Sequence, residues 1–258
     1  MAEEPVYVYI VGTAGSGKSR FTWAMQRWLK ERGLDCVTLN LDPGAEMLPY
    51  QADVDIRDWI RLSDVMDQYE LGPNGAQIMA ADLIALRLGE LQEVLQEFRA
   101  PIILVDTPGQ TELFVFRESG RITMELLAPG RSVIIFLLDP FLARRPSAFV
   151  SMLMLSATTQ FRFQVPLVNV ISKRDLLKEE ELTRIGTWSE EPAALEDALL
   201  AEKPDLYTQM STDAFRVLDA MQGLTKAYAV SGDTLEGMED VYSHIQGLFH
   251  AAEDLKSD

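Results

Sequence analysis

Residues 12–19, with the sequence GTAGSGKS, carry the pattern that points most directly to chemistry. They match the phosphate-binding motif G-x-x-x-x-G-K-[ST]. A β-branched and aromatic run at 6–11 precedes them and indicates a buried strand, and a segment with helical periodicity follows at 20–30. In this setting, successive backbone N–H groups and the start of the helix surround one phosphate group. The motif predicts binding of a nucleoside triphosphate, with contacts from Gly12, Gly15, Ser16, Gly17, Lys18 and Ser19.

Carboxylates at the ends of two predicted strands complete a candidate magnesium site. Asp42 follows one apolar run and Asp106 ends another. Open α/β sheets bind ligands beyond the carboxyl ends of their strands, so both aspartates are candidates to hold Mg²⁺ or its water, together with the Ser19 hydroxyl. Asp106 also begins a D-x-x-G pattern, in which the Gly109 N–H is expected to sense the γ-phosphate. For Asp42, the alternative interpretation is a turn-forming aspartate, because a Pro-Gly pair follows it.

Three side chains are expected to act on the reacting groups. Lys18 is expected to reach the β- and γ-phosphates. Gln110 and Glu112 lie just beyond the D-x-x-G pattern, where a water that attacks the γ-phosphate has to be oriented. Positioning and electrostatic stabilisation carry most of such a reaction, so proton transfer to Glu112 before the attack is not required.

Residues 172–175, with the sequence SKRD, follow a further apolar run and resemble the guanine-reading motif N-K-x-D. Asp175 is expected to accept hydrogen bonds from the guanine N1–H and N2–H₂ groups, while the stem of Lys173 covers the base. Ser231, in a Ser-Gly-Asp sequence after the last predicted strand, is expected to lie behind the guanine. The sequence therefore predicts GTP and GDP as ligands and Mg²⁺ as the cofactor.

The composition argues against several other classes of protein. A formal net charge of −17 disfavours direct nucleic-acid binding through a broad basic face. The single cysteine, Cys36, fits a reducing compartment, and only two histidines are present, so a His/Cys zinc site is not expected. The apolar run 132–138 is too short to span a bilayer, and the acidic start of the chain argues against a signal peptide. We expect a cytoplasmic protein with neither a membrane nor a direct nucleic-acid partner.

The order of the predicted elements indicates the fold class. Apolar strands, about six in number, alternate with helices, which is typical of a parallel sheet. We expect an α/β fold, a three-layer P-loop NTPase with a mostly parallel central sheet and helices on both faces. A single P-loop domain is expected to use residues 1–258, with helical insertions at about 46–99 and about 176–223.

Within the first insertion, residues 56–67 are predicted to be a helix. The sequence Gly72-Pro73-Asn74-Gly75 predicts a rigid turn, in which Pro73 pre-sets the start of a helix. Residues 76–99 are then predicted as one helix from their apolar spacing. From these residues alone, Gly-Pro-Asn is interpreted as a turn rather than as a site.

Taken in order, these motifs resemble those of the GPN-loop GTPases. The resemblance rests on the phosphate loop, on residues 106–110 (DTPGQ), on residues 172–175 and on Gly72-Pro73-Asn74. It implies Mg²⁺-dependent GTP hydrolysis by a constitutive homodimer, in which Gly72, Pro73 and Asn74 reach the partner's phosphate pocket and Asn74 adds a contact at the γ-phosphate. It also implies a client protein complex such as RNA polymerase. Two positions depart from the family pattern, since Ser172 replaces the usual Asn and Gly44 stands where Ala is more familiar.

Two other functions remain as alternatives. One is a P-loop ATPase or small-molecule kinase, but a kinase usually has an arginine-rich lid, and Arg144-Arg145 is the only tight arginine pair. The other is a slow assembly or binding factor whose nucleotide state changes its affinity for partners. This second alternative is compatible with GTPase chemistry.

Overall fold

The computed structural model describes residues 4–128, 130–221 and 223–254. The strands are β1 (Val6–Gly12), β2 (Cys36–Asn40), β3 (Val54–Asp55), β4 (Ile102–Asp106), β5 (Ser132–Leu138), β6 (Leu167–Ile171) and β7 (Ala227–Ala229). The helices are α1 (Lys18–Glu31), α2 (Leu62–Tyr69), α3 (Pro73–Leu86), α4 (Leu88–Gln96), α5 (Thr111–Val115), α6 (Glu118–Leu127), α7 (Pro146–Phe163), α8 (Glu179–Glu190), α9 (Pro192–Leu200), α10 (Leu206–Ala220) and α11 (Met238–Asp254). Short 3₁₀ turns span Ile56–Asp58 and Arg174–Leu176.

The strands form a seven-stranded sheet in the order β3-β2-β4-β1-β5-β6-β7. Every residue of β2, β4 and β5 is buried. Continuous burial of this kind is typical of parallel strands that are covered on both faces. The predicted α/β fold with a parallel central sheet is therefore confirmed, and the two-residue strand β3 is added to the strands that the sequence predicts.

The chain divides into two compact units, Met1–Ile134 and Ile135–Asp258, and the boundary falls within β5. In the first unit, β4 pairs in parallel with both β1 and β2, so that Ile10 and Asn40 each lie opposite Asp106. The carboxyl ends of these three strands therefore meet at one edge, where the phosphate loop follows β1, Asp42 follows β2 and Asp106 ends β4. That residues 1–258 act as one domain stays a prediction.

In the second unit, β6 and β7 pair in parallel, with Asn169 opposite Ala227. The Asn169 side chain is buried and donates to the carbonyl of Leu224 at 2.8 Å, which ties β6 to the segment before β7. Helices α8, α9 and α10 lie between residues 179 and 220. That this segment is an insertion stays a prediction. No helix in the described residues is long and apolar enough to cross a bilayer.

The prediction of a helix over residues 56–67 is wrong at its start, because α2 begins only at Leu62. The chain instead forms β3, the turn Ile56–Asp58 and, after a break, α2. The Asp55 carboxylate explains the change, because it accepts from Asn40 Nδ2 at 2.9 Å and from the guanidinium of Arg57. These contacts hold residue 55 against β2, so a tertiary interaction overrides the local helical pattern.

The prediction of one helix over residues 76–99 is wrong at its start and in its middle. Helix α3 already begins at Pro73, with Gly72 as the preceding N-cap residue. The Gly-Pro-Asn sequence is thus the first turn of a helix, and Pro73 takes the position where its missing N–H is tolerated. The helix then breaks at Arg87, whose φ of −102° and ψ of 3° are not helical.

Candidate nucleotide-binding site

The phosphate loop connects β1 with α1, as its motif requires. Gly15 and Gly17 adopt φ angles of 76° and 94°, a region that residues with a Cβ rarely occupy. These two glycines turn the chain so that α1 starts at Lys18 with its first-turn N–H groups directed toward the loop. The loop residues 13–15 are exposed, whereas Ser16 is buried. The backbone is therefore shaped to receive an anion.

Lys18 is buried within this loop, with 6% of its surface exposed. Its ammonium group donates to three carbonyl oxygens, those of Gly12 at 2.8 Å, Thr13 at 3.2 Å and Gly109 at 2.7 Å. Burial lowers its pKa, while the negative charges of Asp106, Asp42 and Glu112 raise it. A lysine held by neutral carbonyls can exchange these partners for phosphate oxygens, which bind an ammonium group more strongly.

Gly109, in the D-x-x-G pattern, forms hydrogen bonds through both its carbonyl and its N–H group. Its carbonyl accepts from Lys18, and its N–H donates to Asp42 Oδ2 at 2.9 Å. The other carboxylate oxygen of Asp42 accepts from Gly44 N–H at 2.9 Å, which is the geometry of a turn-forming aspartate. Hydrogen bonds thus join Lys18, Gly109 and Asp42 directly. The Gly109 N–H, which is expected to sense the γ-phosphate, donates to Asp42 instead.

Asp106 ends β4 and is almost completely buried, with 1% exposure. Its Oδ2 accepts from the Tyr50 hydroxyl at 2.9 Å, and Ser19 also hydrogen-bonds the carboxylate. Burial raises the pKa of Asp106 to about 6, while these two hydrogen bonds lower it. Its Oδ1 has no hydrogen-bond partner among the described residues. Sequence reasoning missed Tyr50, because a tyrosine eight residues beyond Asp42 belongs to no recognisable pattern.

The residues present fit a magnesium ion that is held mainly by phosphate and water. Among the described residues, no group of three or more His, Cys, Asp or Glu side chains could hold a metal. Mg²⁺ in nucleotide sites needs only one or two protein oxygens. Ser19 and Asp106 supply a hydroxyl and a buried carboxylate with one unpaired oxygen, which is the donor set this arrangement requires.

The segment after the D-x-x-G pattern contacts helix α3. Gln110 Nε2 donates to Gln77 Oε1 at 2.8 Å, and Arg117 Nε donates to Asp82 Oδ1 at 3.1 Å. Gln77 lies three residues after Asn74, so both project from one side of the first turns of the helix. The helix that begins with Gly-Pro-Asn is therefore hydrogen-bonded to residues on both sides of α5. Sequence reasoning missed these pairs, since contacts across 33 and 35 residues leave no local signal.

The other two predicted catalytic side chains are open to solvent. Asn74 and Glu112 are both exposed. Glu112 lies in the first turn of α5 and contributes a negative charge near Lys18. The roles assigned to Gln110, Glu112 and Asn74 stay predictions.

The candidate base-reading residues lie in the second unit. Asp175 Oδ1 accepts from the Ser231 hydroxyl at 2.7 Å, and that hydroxyl accepts in turn from the N–H groups of Asp233 and Thr234 at 3.2 Å. Lys173 has a φ of 52°, so the backbone turns sharply just before Asp175. Ser172 is buried and donates to the carbonyl of Leu138 at 3.3 Å. The structure brings Ser231 to Asp175, where it orients the carboxylate.

Comparisons with known proteins agree with this set of motifs. A family model described as a conserved hypothetical ATP binding protein matches residues 10–251. A protein of Dictyostelium discoideum named GPN-loop GTPase 1 is 27% identical over 98% of this chain and 63% of its own length. A Schizosaccharomyces pombe protein of the same name is 35% identical over 69% of this chain and 49% of its own length. The chain belongs to the GPN-loop GTPase family. The predicted resemblance is confirmed.

A solved structure matches this chain over nearly its whole length. The apo form of a GTPase from Pyrococcus abyssi matches with a TM-score of 0.82 and 28% identity, over 94% of this chain and 96% of that one. The present chain spans about half to two thirds of the length of these two curated GPN-loop relatives, 49% and 63%.

Replacing Lys18 with alanine tests the phosphate loop. Lys18→Ala removes the ammonium group that donates to the Gly12 and Gly109 carbonyls. We expect triphosphate affinity to fall at least about tenfold, since charge-assisted bonds to phosphate are lost. Lys30→Ala is the matched control, because Lys30 is an exposed lysine at the other end of α1. Titration of a fluorescent GTP analogue measures both. Equal affinities for Lys18→Ala and Lys30→Ala would show that Lys18 does not bind phosphate.

Proposed function

We propose that this chain is a Mg²⁺-dependent GTPase that converts GTP and water to GDP and phosphate. The observation that carries the proposal is the pair of hydrogen bonds at Gly109, whose carbonyl accepts from Lys18 and whose N–H donates to Asp42. This contact joins the phosphate loop to the D-x-x-G segment, the two parts that respond to a γ-phosphate in nucleotide switches. The names of the family members, which are called GTPases, support the same activity.

Binding of the triphosphate requires that the carbonyl and the N–H of Gly109 change their hydrogen-bond partners. Lys18 gives up the Gly109 carbonyl and donates to the β- and γ-phosphates. The Gly109 N–H leaves Asp42 and donates to the γ-phosphate. The Oδ2 atom of Asp42 would then be free to accept from a magnesium-bound water, while Oδ1 keeps the Gly44 N–H. GDP has no γ-phosphate, so the Gly109 N–H returns to Asp42 after hydrolysis. The partner of the Gly109 N–H, Asp42 or the γ-phosphate, thus distinguishes the two nucleotide states.

The remaining residues divide the work of catalysis. Backbone N–H groups of residues 14–19 stabilise negative charge on the phosphates, and Ser19 and Asp106 hold the magnesium ion directly or through water. When bound, Mg²⁺ neutralises charge on the transferring phosphoryl group. Gln110 and Glu112 orient the attacking water. Asn74 adds a hydrogen bond at the γ-phosphate.

The proposal assigns base recognition to Asp175, Lys173 and Ser231. The Ser231–Asp175 hydrogen bond supports it, because it takes one carboxylate oxygen and fixes the orientation of the other. A carboxylate accepts from both guanine donors, N1–H and N2–H₂, whereas adenine presents an acceptor at N1 and repels it. The description of the matching family model names ATP, so an ATPase is the competing function.

We further propose that the protein acts as a cytoplasmic homodimer whose nucleotide state controls the assembly of a protein complex such as RNA polymerase. The resemblance in sequence motifs supports this role. In the dimer, the Gly72-Pro73-Asn74 turn at the start of α3 serves the phosphate pocket of the other subunit. The exposure of Asn74 is compatible with such a contact.

The base-reading assignment predicts a switch in nucleotide preference. The unmodified protein is expected to bind GDP at least about tenfold more tightly than ADP, or about 1.4 kcal/mol. Asp175→Asn is expected to abolish this preference and to gain affinity for xanthosine diphosphate, because the new amide donates to the xanthine O2. Asp240→Asn, at an exposed aspartate of α11, is the control. Competition binding with the three diphosphates measures the effect, and equal binding of GDP and ADP by the unmodified protein would refute guanine recognition.

The action of Asn74 in trans is tested with mixed dimers. Asn74→Ala and Glu112→Ala chains are co-expressed with different tags, and dimers carrying one of each are isolated. If Asn74 serves its partner, the Asn74→Ala chain keeps its own Glu112 and receives an intact Asn74, so one pocket is complete. We then expect roughly half of the unmodified GTPase rate, a large rise from two impaired parents.

Two differently tagged unmodified chains, purified in the same way, control for the isolation of mixed dimers. If Asn74 serves its own pocket, each pocket of the mixed dimer lacks one residue. Mixed dimers no more active than either parent would exclude action in trans, and a chain that stays monomeric would exclude the dimer itself.

A further inference from the structure

Tyr50 contacts the candidate magnesium carboxylate although no nucleotide-binding motif contains it. The ring is buried, with 9% exposure, and the hydroxyl donates to Asp106 Oδ2 at 2.9 Å. Tyr50 lies in the loop between β2 and β3, which also contains Asp42. The end of this loop is fixed to β2, because Asp53 Oδ2 accepts from the N–H and the hydroxyl of Thr38 at 2.8 and 2.7 Å. The phenol therefore reaches Asp106 from an anchored segment.

The hydrogen bond distinguishes the two oxygens of Asp106. A carboxylate can present either oxygen unless a donor fixes its rotation. Tyr50 donates to Oδ2, Ser19 is a second donor to the carboxylate, and Oδ1 is buried with no hydrogen-bond partner in the described part of the chain. A buried carboxylate oxygen without a donor costs free energy, and a magnesium-bound water is a donor that the chain itself does not provide. The oxygen of Asp106 that has no donor, Oδ1, is thus the one that can accept a hydrogen bond from a hydrated Mg²⁺ ion.

We infer that Tyr50 is a positioning residue, which orients Asp106 so that Oδ1 faces the hydration shell of the nucleotide-bound magnesium ion. This inference rests on the proposed function. Outer-shell donors of this kind typically change metal affinity about 10- to 100-fold, although they never touch the metal. Tyr50 acts on the magnesium ion only through Asp106 and has no part in binding the nucleotide in the absence of the metal.

Tyr50→Phe removes the hydroxyl and keeps the ring. A fluorescent GDP analogue is titrated in EDTA and over a series of free Mg²⁺ concentrations. We expect GDP affinity in EDTA to stay within about twofold of the unmodified protein. The Mg²⁺ concentration that gives half of the metal-dependent gain in affinity is expected to rise about tenfold. Tyr7→Phe is the matched control, because Tyr7 has the same 9% exposure and lies at the start of β1, away from the phosphate loop.

A double variant tests whether Tyr50 acts through Asp106. Asp106→Asn is expected to reduce the metal-dependent gain in GDP affinity by itself. If Tyr50 only orients Asp106, then adding Tyr50→Phe to Asp106→Asn produces no further shift, which is the signature of two residues in one interaction. Additive shifts would overturn the inference. Thermal unfolding of each variant without nucleotide shows whether any loss reflects the fold instead.

The remaining outcomes separate this inference from the proposed function. If Mg²⁺ tightens GDP binding by the unmodified protein but Tyr50→Phe responds to Mg²⁺ as Tyr7→Phe does, the positioning role is wrong and the GTPase proposal stands. An equal loss of affinity with and without the metal assigns Tyr50 a purely structural role and also overturns the inference. If the unmodified protein binds GDP equally well in EDTA, the magnesium site fails and the role of Tyr50 fails with it.

Discussion

Gly109, the last residue of the D-x-x-G pattern, makes the two hydrogen bonds on which the candidate site depends. Lys18 donates to the carbonyl of Gly109, and Asp42 accepts from its N–H. Three stretches that lie far apart in the sequence are thereby held at the carboxyl ends of β1, β2 and β4. Parallel pairing of these strands makes the contact possible, because their ends meet at one edge. The hydrogen bonds hold in place the groups that would receive a nucleotide.

The charges around this contact explain why a nucleotide and its metal would bind together. Lys18 is surrounded by the negative charges of Asp106, Asp42 and Glu112. A triphosphate that enters alone would meet these carboxylates, in a chain whose formal net charge is already −17. A magnesium ion offsets the repulsion, and the backbone N–H groups of the phosphate loop add a favourable interaction that carries no counter-charge. The buried, unpaired oxygen of Asp106 then acquires a donor.

The parts of the fold that could be predicted are those set by local sequence. Continuous apolar runs predict β1, β4, β5 and β6, since strands buried on both faces have no polar alternation. The glycines at 15 and 17 predict the phosphate loop, because their positive φ angles are open to few other residues. The prediction fails at residues 54–58, where Asp55 pairs with Asn40 and Arg57. It also fails at Arg87, where the segment predicted as one helix divides into α3 and α4.

In the candidate site, too, the features set by local sequence could be predicted and those set by distant contacts could not. Its motifs lie in short contiguous segments, and the structure brings Lys18, Asp42 and Gly109 together as those motifs suggest. Tyr50 and Gln77 could not be predicted, because each meets its partner across many residues and neither belongs to a pattern. Position in the fold, rather than residue type, makes them part of the site.

The account is tested most directly by two crystal structures of the unmodified protein, one with Mg²⁺–GDP and one with Mg²⁺ and a non-hydrolysable GTP analogue. In both, Lys18 should donate to phosphate oxygens instead of the Gly109 carbonyl. The Gly109 N–H should donate to Asp42 in the GDP complex and to the γ-phosphate in the GTP-analogue complex. A GTP-analogue complex in which the Gly109 N–H still donates to Asp42 would contradict the proposed change of hydrogen-bond partner at Gly109.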